Sequence, residues 1–431
     1  MKISLDLSAL GIRLAVFALA ALLLCGATGL AMVQFITNSA ATPNLPVELA
    51  VLEAIADYVP SSAAVHARLA ARLVESEADP TESHEKLAER AFVAASRAVQ
   101  LAPANYEYRV LLAAASELQG DLPAAESALR AAVQRAPQHL DVRWQLANLL
   151  VRVGKLEEAL PDFRLLSAAD ADRLPATISL LWQASEGNFE LVKRGLSEAP
   201  HAQLALAGFL VEQGQYETAA GVFAAIPREF RASAPETKKI FDQLFNDRQF
   251  VYANQWWRNT VNLPATTTDS LLWNPGFEQP ALKGLTHFDW QLVGSRYARI
   301  GVATGRAHSG QRALKLQYLG VETTRLDTEL QQLVVLQPGA TYRLEAYAKA
   351  EGLVVTDGPQ LTIARADNRA VLAASNAVLP GTADWQLLTV EFVAPQDSPT
   401  IILTLKQTPR YSFVEPTLGV IWFDDFSLKI Q

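Results

Sequence analysis

The chain has 431 residues, of which 50% are hydrophobic, and its formal net charge is −8. This length suits two folded domains and a shorter segment, because a domain commonly holds about 100–200 residues. The acidic balance and the lack of any basic block disfavour nucleic-acid binding. Cys25 is the only cysteine, which excludes a disulfide within the chain.

The first predicted element is an apolar segment that can cross a membrane. Lys2 and Arg13 precede an uncharged stretch whose apolar core runs from Leu14 to Ile36. This core is long enough for a bilayer hydrocarbon core of ~30 Å. Because both basic residues come first, the positive-inside rule predicts a cytoplasmic start and an extracytoplasmic remainder. We expect residues 1–45 to hold that start, a membrane anchor and a short linker.

Two other interpretations of this segment stay open. One is a cleaved signal peptide, because Ser39-Ala40-Ala41 offers small residues at cleavage spacing. An apolar region this long favours a retained anchor instead. The other is a lipoprotein modified at Cys25, although the bulky Leu24 before it departs from the small residue that lipidation signals prefer.

Residues 46–265 have the pattern of helical repeats. Five pairs of residues recur 34 positions apart: Pro103 and Pro137, Leu112 and Leu146, Ala113 and Ala147, Gly120 and Gly154, Ala125 and Ala159. This period, with small residues at helix crossings, is typical of a helix-turn-helix array. An ordinary helical bundle is the alternative.

Two frames, 106–139 and 140–173, share this layout, and 200–233 is a third. These residues resemble the tetratricopeptide repeat family, which implies an α-solenoid whose groove holds a protein partner. Residues 236–260 are expected to be one more helical pair, forming the polar-faced cap that a solenoid needs.

Three residues of the second frame are candidates for contact with that partner. Trp144, Asn148 and Arg152 are four residues apart, so they project from one helix face. They occupy positions that line the peptide-binding groove in proteins with tetratricopeptide repeats, so the resemblance implies a partner-binding role. The alternative is a solvated face with one partly buried tryptophan.

Near Thr266-Thr267-Thr268 the Ala-rich sequence gives way to short alternating runs of β-branched and aromatic residues. Such runs predict strands, here at 313–318, 342–348, 387–392, 401–405 and 420–428. Clusters of Gly, Pro and Asp separate them. The pattern predicts one antiparallel β-sandwich over residues 266–431. The fold class predicted for the whole chain is therefore multidomain α plus β.

Four motifs of this region follow one another in a characteristic order: Asn-Pro-Gly-Phe-Glu at 274–278, His-Ser-Gly at 308–310, Gln-Pro-Gly at 337–339 and Trp-Phe-Asp-Asp-Phe at 422–426. Their order and spacing resemble the galactose-binding-like jelly rolls of the carbohydrate-binding module 4/9/22 type. The resemblance implies a two-sheet jelly roll with a glycan-binding groove and, often, a structural calcium. Glu278 and Asp424 match the acidic calcium ligands of those modules.

Six aromatic residues of the β region have apolar faces that suit pyranose rings, and most of them are expected to fill the core: Trp290, Tyr297, Tyr342, Tyr347, Trp385 and Trp422.

No catalytic group stands out. The six histidines are scattered without paired metal-ligand spacing, and no glycine-rich phosphate loop, GxSxG or HExxH motif occurs. Asp424 and Asp425 are adjacent in a predicted strand, so they point to opposite faces and do not form a facing acid–base pair. We expect no enzymatic activity.

These elements predict a non-enzymatic scaffold anchored in a bacterial inner membrane, with the bulk of the chain periplasmic. Its repeats would hold a protein partner and its jelly roll would contact polysaccharide, as in accessory proteins of exopolysaccharide or cell-envelope assembly. That association is an analogy at the level of the fold. The alternative is a carbohydrate-active enzyme or a glycan-degradation accessory with an appended carbohydrate-binding module.

Overall fold

The computed structural model describes residues 10–42, 47–75, 83–261, 270–294, 298–320, 329–355, 357–406 and 417–431. These residues form α-helices followed by β-strands, which confirms the multidomain α plus β class. They group into two compact units, Met1–Ser197 and Glu198–Gln431. The expected change of character at Thr266 lies outside the described residues, as do Lys2 and Tyr297, and the boundary at residues 265 and 266 stays a prediction.

The chain begins its described part with a long apolar helix, α1 (Leu10–Ala41). Within it, Phe17–Phe35 is long and apolar enough to cross a membrane. By length and composition this stretch fits a membrane span and a signal sequence alike. Near the end of α1, Arg68 Nη1 donates to the Ser39 carbonyl at 3.2 Å.

The other described elements of the first unit are also helices: α2 (Leu49–Tyr58), α3 (Ala63–Glu75), α4 (His84–Leu101), α5 (Tyr106–Leu118), α6 (Leu122–Arg135), α7 (Leu140–Arg152), α8 (Leu156–Ala169), α9 (Leu174–Ala184) and α10 (Phe189–Gly195). The small residues of the period face inward, and Ala125 and Ala159 are fully buried. Close helix packing is the reason for the alanines.

The repeated glycines end the first helix of each pair. Gly120 and Gly154 both have φ of +77°, a left-handed conformation that glycine adopts without steric cost. The following N–H groups, of Asp121 and Lys155, donate back to carbonyls five residues earlier, at 2.9 and 2.8 Å. This hydrogen-bond pattern caps the helix C-terminus. The glycine that recurs every 34 residues therefore marks the turn between the two helices of each repeat.

The second unit opens with five more helices: α11 (Pro200–Glu212), α12 (Tyr216–Ala225), α13 (Arg228–Ser233), α14 (Pro235–Asn246) and α15 (Phe250–Thr260). Gly214 makes the same left-handed turn, and Arg248, 34 residues later, makes it with φ of +57°. The Gln249 N–H donates to Leu244 at 2.7 Å. The predicted final helical pair is therefore a further turn of the same array.

One face of this final pair is covered by later residues of the same unit, and the polar-faced cap stays a prediction. Trp257 is buried, and its Nε1 donates to the Leu285 carbonyl at 2.8 Å. Its ring packs against Trp273 and Phe288, at centroid distances of 5.8 and 5.5 Å. Phe245 also contacts Phe288. The pair is apolar here because residues preceding the first strand cover it.

The sandwich has ten described strands: β1 (Gln291–Val293), β2 (Ala298–Thr304), β3 (Arg312–Leu319), β4 (Glu329–Val335), β5 (Thr341–Val354), β6 (Gln360–Arg365), β7 (Val371–Ala374), β8 (Gly381–Val393), β9 (Thr400–Lys406) and β10 (Leu418–Ile430). Sheet 1 has the order β1-β4-β9-β6-β7 and sheet 2 the order β2-β3-β10-β5-β8. Described pairs are antiparallel, which confirms the two-sheet β-sandwich and all five predicted strand runs.

Alternation places every second residue of the strands in the core between the sheets. In β10, Ile421 and Phe423 point inward, and the register shifts between Asp424 and Ser427. Asp425 has φ of +50° at this bulge. After it, Phe426 again points inward. The bulge therefore interrupts the alternation at the two adjacent aspartates.

Candidate functional sites

The three predicted groove residues lie along helix α7 of the first unit. The half-buried Trp144 ring packs edge-on against Phe163, with ring centroids 6.2 Å apart. Asn148 Nδ2 donates to the Trp144 carbonyl at 2.8 Å. Arg152 forms an ion pair with Glu117 of α5. Their role in holding a partner stays a prediction.

Ion pairs join the first helices of successive repeats along this surface. Arg152 connects α7 to α5, and Arg173, which precedes α9, pairs with Asp141 of α7. The Arg173 guanidinium holds the pKa of Asp141 below its usual range. Both pairs are partly exposed, and such pairs contribute roughly 0–1 kcal/mol. Arg152 and Glu117 are therefore held to each other only weakly.

In the sandwich, three carboxylates hold the loop that carries His308. Asp424 has no exposed surface, and its Oδ2 accepts the backbone N–H groups of His308 and Ser309 at 2.8 and 3.1 Å. Burial raises the pKa of Asp424, and the N–H donors oppose that shift. Asp425 accepts the Ser309 hydroxyl at 2.7 Å and lies 2.6 Å from His308 Nδ1.

The third carboxylate belongs to Glu278 of the opening motif. Its Oε1 accepts the N–H groups of Gln311 and Arg312 at 2.7 and 2.8 Å. Gly310 lies beneath it with φ of +64°, and a Cβ there would come within 2.3 Å of Glu278 Oε1. The sequence showed these motifs but gave no signal that they meet across 116 residues.

This arrangement bears on the calcium predicted at Glu278 and Asp424. Asp424 Oδ1 accepts the Asp425 N–H at 2.8 Å, so both of its oxygens already have N–H donors. Among the described residues, no group of three or more His, Cys, Asp or Glu is placed to hold a metal. These carboxylates fit the donors of the loop better than they fit a cation. Calcium binding stays a prediction.

The predicted sugar-stacking residues fall into two sets. Trp290 and Tyr342 are buried in the core. Tyr347 and Trp385 are half-buried and surround His308, whose ring stacks on Tyr347 at 3.8 Å and meets Trp385 edge-on at 5.3 Å. Trp422 lies on the outer face of sheet 2, outside the core between the sheets, and is buried there.

Two family models match the chain. Residues 116–181 match a tetratricopeptide repeat model, and residues 269–411 match a carbohydrate binding domain model. No curated protein matches.

Solved structures similar to the chain include carbohydrate-binding modules. One is a family 4 module, with 20% identity and a TM-score of 0.29, over 37% of this chain and 99% of its own. Another is a family 61 module in complex with β-1,4-galactotriose, with 20% identity and a TM-score of 0.25, over 38% and 100%. A third is a xylan-binding domain of Paenibacillus barcinonensis, with 19% identity and a TM-score of 0.25, over 36% and 90%.

The two family matches cover separate segments, one helical and one a two-sheet β-sandwich. Both resemblances predicted from the sequence, to tetratricopeptide repeats and to a carbohydrate-binding module, are thereby confirmed.

Proposed function

We propose that this protein is a membrane-anchored extracytoplasmic scaffold that binds a protein partner through its repeats and a polysaccharide through its β-sandwich. The observation that supports this most is the presence of both family matches in one chain, after an apolar helix. Repeats of this kind suggest protein binding, and the carbohydrate binding domain suggests glycan binding. Both activities in one molecule would suit a bacterial role in exopolysaccharide or cell-envelope assembly.

The proposed anchor is α1, retained in the inner membrane with the remainder periplasmic. Its apolar stretch of 19 residues gives about 28 Å of helix at 1.5 Å per residue, close to the bilayer core. The helix continues past Phe35 to Ala41, and its last turn accepts the Arg68 hydrogen bond. That contact ties the anchor to the first repeat helices, which supports retention over cleavage.

The anchor can be tested by fractionation and by mass. We expect the full chain to stay with membranes after carbonate and high-salt washes, with an intact N-terminus. Protease added to spheroplasts should degrade the repeats and the sandwich. A soluble form that begins near Ala41 or Thr42 would show that the segment is a cleaved signal.

We also propose that the sandwich binds glycan without cleaving it. Asp424 is fully buried and both aspartates are engaged by the His308 loop, which makes them unsuitable as an acid–base pair. The test incubates purified full chain with xylan and β-1,4-galactan and measures retention and released reducing ends. Retention without release supports the scaffold. Release of reducing ends would favour the carbohydrate-active enzyme.

The groove on α7 can be tested with paired variants. Trp144→Ala with Arg152→Ala should abolish capture of a periplasmic protein that co-purifies with the parent, while helix content stays unchanged. Arg194→Ala with Glu157→Ala is the matched control, because it removes an exposed ion pair between second helices. Equal capture by both double variants would exclude the predicted groove.

A further inference from the structure

The outer face of sheet 2 carries an unusual tryptophan. Ile421 and Phe423 point into the core, so Trp422 between them points outward, yet only 6% of it is exposed. Its cross-strand neighbours are Lys315 of β3 and Lys349 of β5. Lys315 Nζ lies 5.6 Å from the Trp422 ring centroid. The two lysines therefore flank the indole on either side.

The aromatic residues near His308 continue this row toward the edge strand. Lys349 Nζ lies 2.9 Å from Asp384 Oδ1, next to Trp385 on β8, and Tyr347 also faces outward because its neighbours Ala346 and Ala348 are in the core. We call Lys315, Tyr347, Lys349, Trp385 and Trp422 the Trp385 strip. The strip crosses β3, β10, β5 and β8. It is about 14 Å long, because neighbouring strands lie ~4.8 Å apart.

Several polar atoms of the Trp385 strip have no partner among the described residues. Trp422 Nε1 is buried without a hydrogen bond. In the part of the chain that the structure describes, Lys315 makes no ion pair, and neither the Tyr347 hydroxyl nor the Trp385 N–H has a hydrogen-bond partner. Lys315, Tyr347 and Trp385 are half-buried, so their donors can reach a ligand with oxygen acceptors, whereas the Trp422 N–H is enclosed by the protein.

The outer face of sheet 1 differs from this strip. The outward residues of its central strands carry aliphatic, hydroxyl, amide or ammonium groups: Gln331, Leu333, Val335, Gln360, Thr362, Ala364, Thr400, Ile402, Thr404 and Lys406. No aromatic ring occurs among the described residues of that face. Stacking on a sugar ring therefore has its platforms on sheet 2.

We propose that the Trp385 strip binds a polysaccharide of pyranose rings laid across the strands of sheet 2. This inference rests on the glycan binding proposed above and assigns its site. The half-buried Trp385 ring contacts the apolar C–H face of a sugar, and Tyr347, whose ring stacks on His308, contributes its hydroxyl. The Lys315 ammonium and the Trp385 N–H donate to hydroxyl or carboxylate oxygens. Glu278, Asp424 and Asp425 position His308 against Tyr347.

The test is affinity electrophoresis of the full chain in detergent, through gels that contain xylan, β-1,4-galactan or alginate. For a polysaccharide that retards the parent, Trp385→Ala should weaken binding by at least about tenfold, as for a central aromatic anchor. Lys315→Ala should weaken it by several-fold. Leu372→Ala, which removes an exposed apolar side chain from sheet 1, is the matched control and should leave binding unchanged.

Tyr347→Phe separates a ligand contact from a structural role. It keeps the ring that stacks on His308 but removes a hydroxyl that no described residue hydrogen-bonds, so melting should not fall while binding weakens. Retardation of both Trp385→Ala and Lys315→Ala as strong as that of the parent would overturn the site and leave glycan binding standing. Failure of the parent to bind any of the three polysaccharides would overturn the proposed glycan function and this site with it.

Discussion

Single residues decide how the His308 loop is held. Asp424 brings a buried carboxylate to two backbone N–H groups of that loop, and Asp425 binds its side chains. Hydrogen bonds to an ionised carboxylate are worth more than neutral ones. The two aspartates, adjacent in sequence, can act on one loop because the bulge in β10 breaks the alternation that would send them to opposite faces.

Removing the Asp424 carboxylate should destabilise the sandwich. Asp424→Ala leaves the His308 and Ser309 N–H groups without their acceptor, at a cost of about 2–3 kcal/mol. Asp384→Ala is the control, since it removes a carboxylate from an exposed ion pair and should change stability by less than about 1 kcal/mol. Urea unfolding followed by tryptophan fluorescence measures both. Equal effects would contradict the role of Asp424.

The raised pKa of Asp424 also predicts how the stability of the sandwich changes with pH. Burial raises this pKa above the unfolded value, so the group favours the folded state below the unfolded pKa and loses that contribution as pH rises through the folded pKa. The stability of the parent relative to Asp424→Asn should therefore decline as pH increases from about 4. If the stability of the parent relative to Asp424→Asn instead increases with pH, the hydrogen bonds to the ionised carboxylate outweigh the effect of its burial.

At the scale of elements, the left-handed turn defines the repeat. Gly120, Gly154 and Gly214 make it without steric cost, and these glycines are why the period is visible in the sequence. In the final helical pair Arg248 makes the same turn, so this pair has no glycine from which the turn could be predicted. Its helices were predictable from their apolar pattern, whereas the aromatic cover over Trp257 was not, because Trp273 and Phe288 come from a segment without strand or helix pattern.

Two glycines of one helical pair should respond oppositely to alanine. Gly214→Ala forces an alanine into a left-handed conformation and should cost about 1–2 kcal/mol. Gly221 lies in α12 without positive φ and with open space at its Cβ position. Gly221→Ala should stabilise by roughly 0.5–1 kcal/mol, because alanine favours a helix more than glycine does. Thermal unfolding by circular dichroism gives both values, and a shift in the same direction would contradict the turn.

The aromatic cover of the final pair should make that pair and the sandwich's first segment unfold together. Trp257→Ala removes a buried ring and a hydrogen bond to Leu285, a change that typically costs 3–5 kcal/mol. Hydrogen exchange should increase in α14 and α15 and also in residues 270–290. Faster exchange confined to the helices would show that the cover contributes little. Tyr252→Ala, on the same helix, is the control.

At the scale of the whole molecule, the chain joins an apolar helix, a repeat array and a carbohydrate-binding fold. Periodicity and motif order predicted both folds, because each depends on local patterns. The candidate sites were less predictable: Trp385 was named as a stacking residue, but the flanking of Trp422 by Lys315 and Lys349 depends on strand order and register. Strand order and register cannot be predicted from the sequence of a single strand.

The central claim is that the protein holds a polysaccharide at a membrane, and co-flotation tests it most directly. Full chain is reconstituted into liposomes, mixed with a fluorescent polysaccharide that retards the parent in gels, and floated through a density gradient. The account predicts that the polysaccharide rises with the liposomes, and that it stays at the bottom with empty liposomes or with Trp385→Ala. Liposomes that carry the parent protein but leave the polysaccharide at the bottom would contradict it.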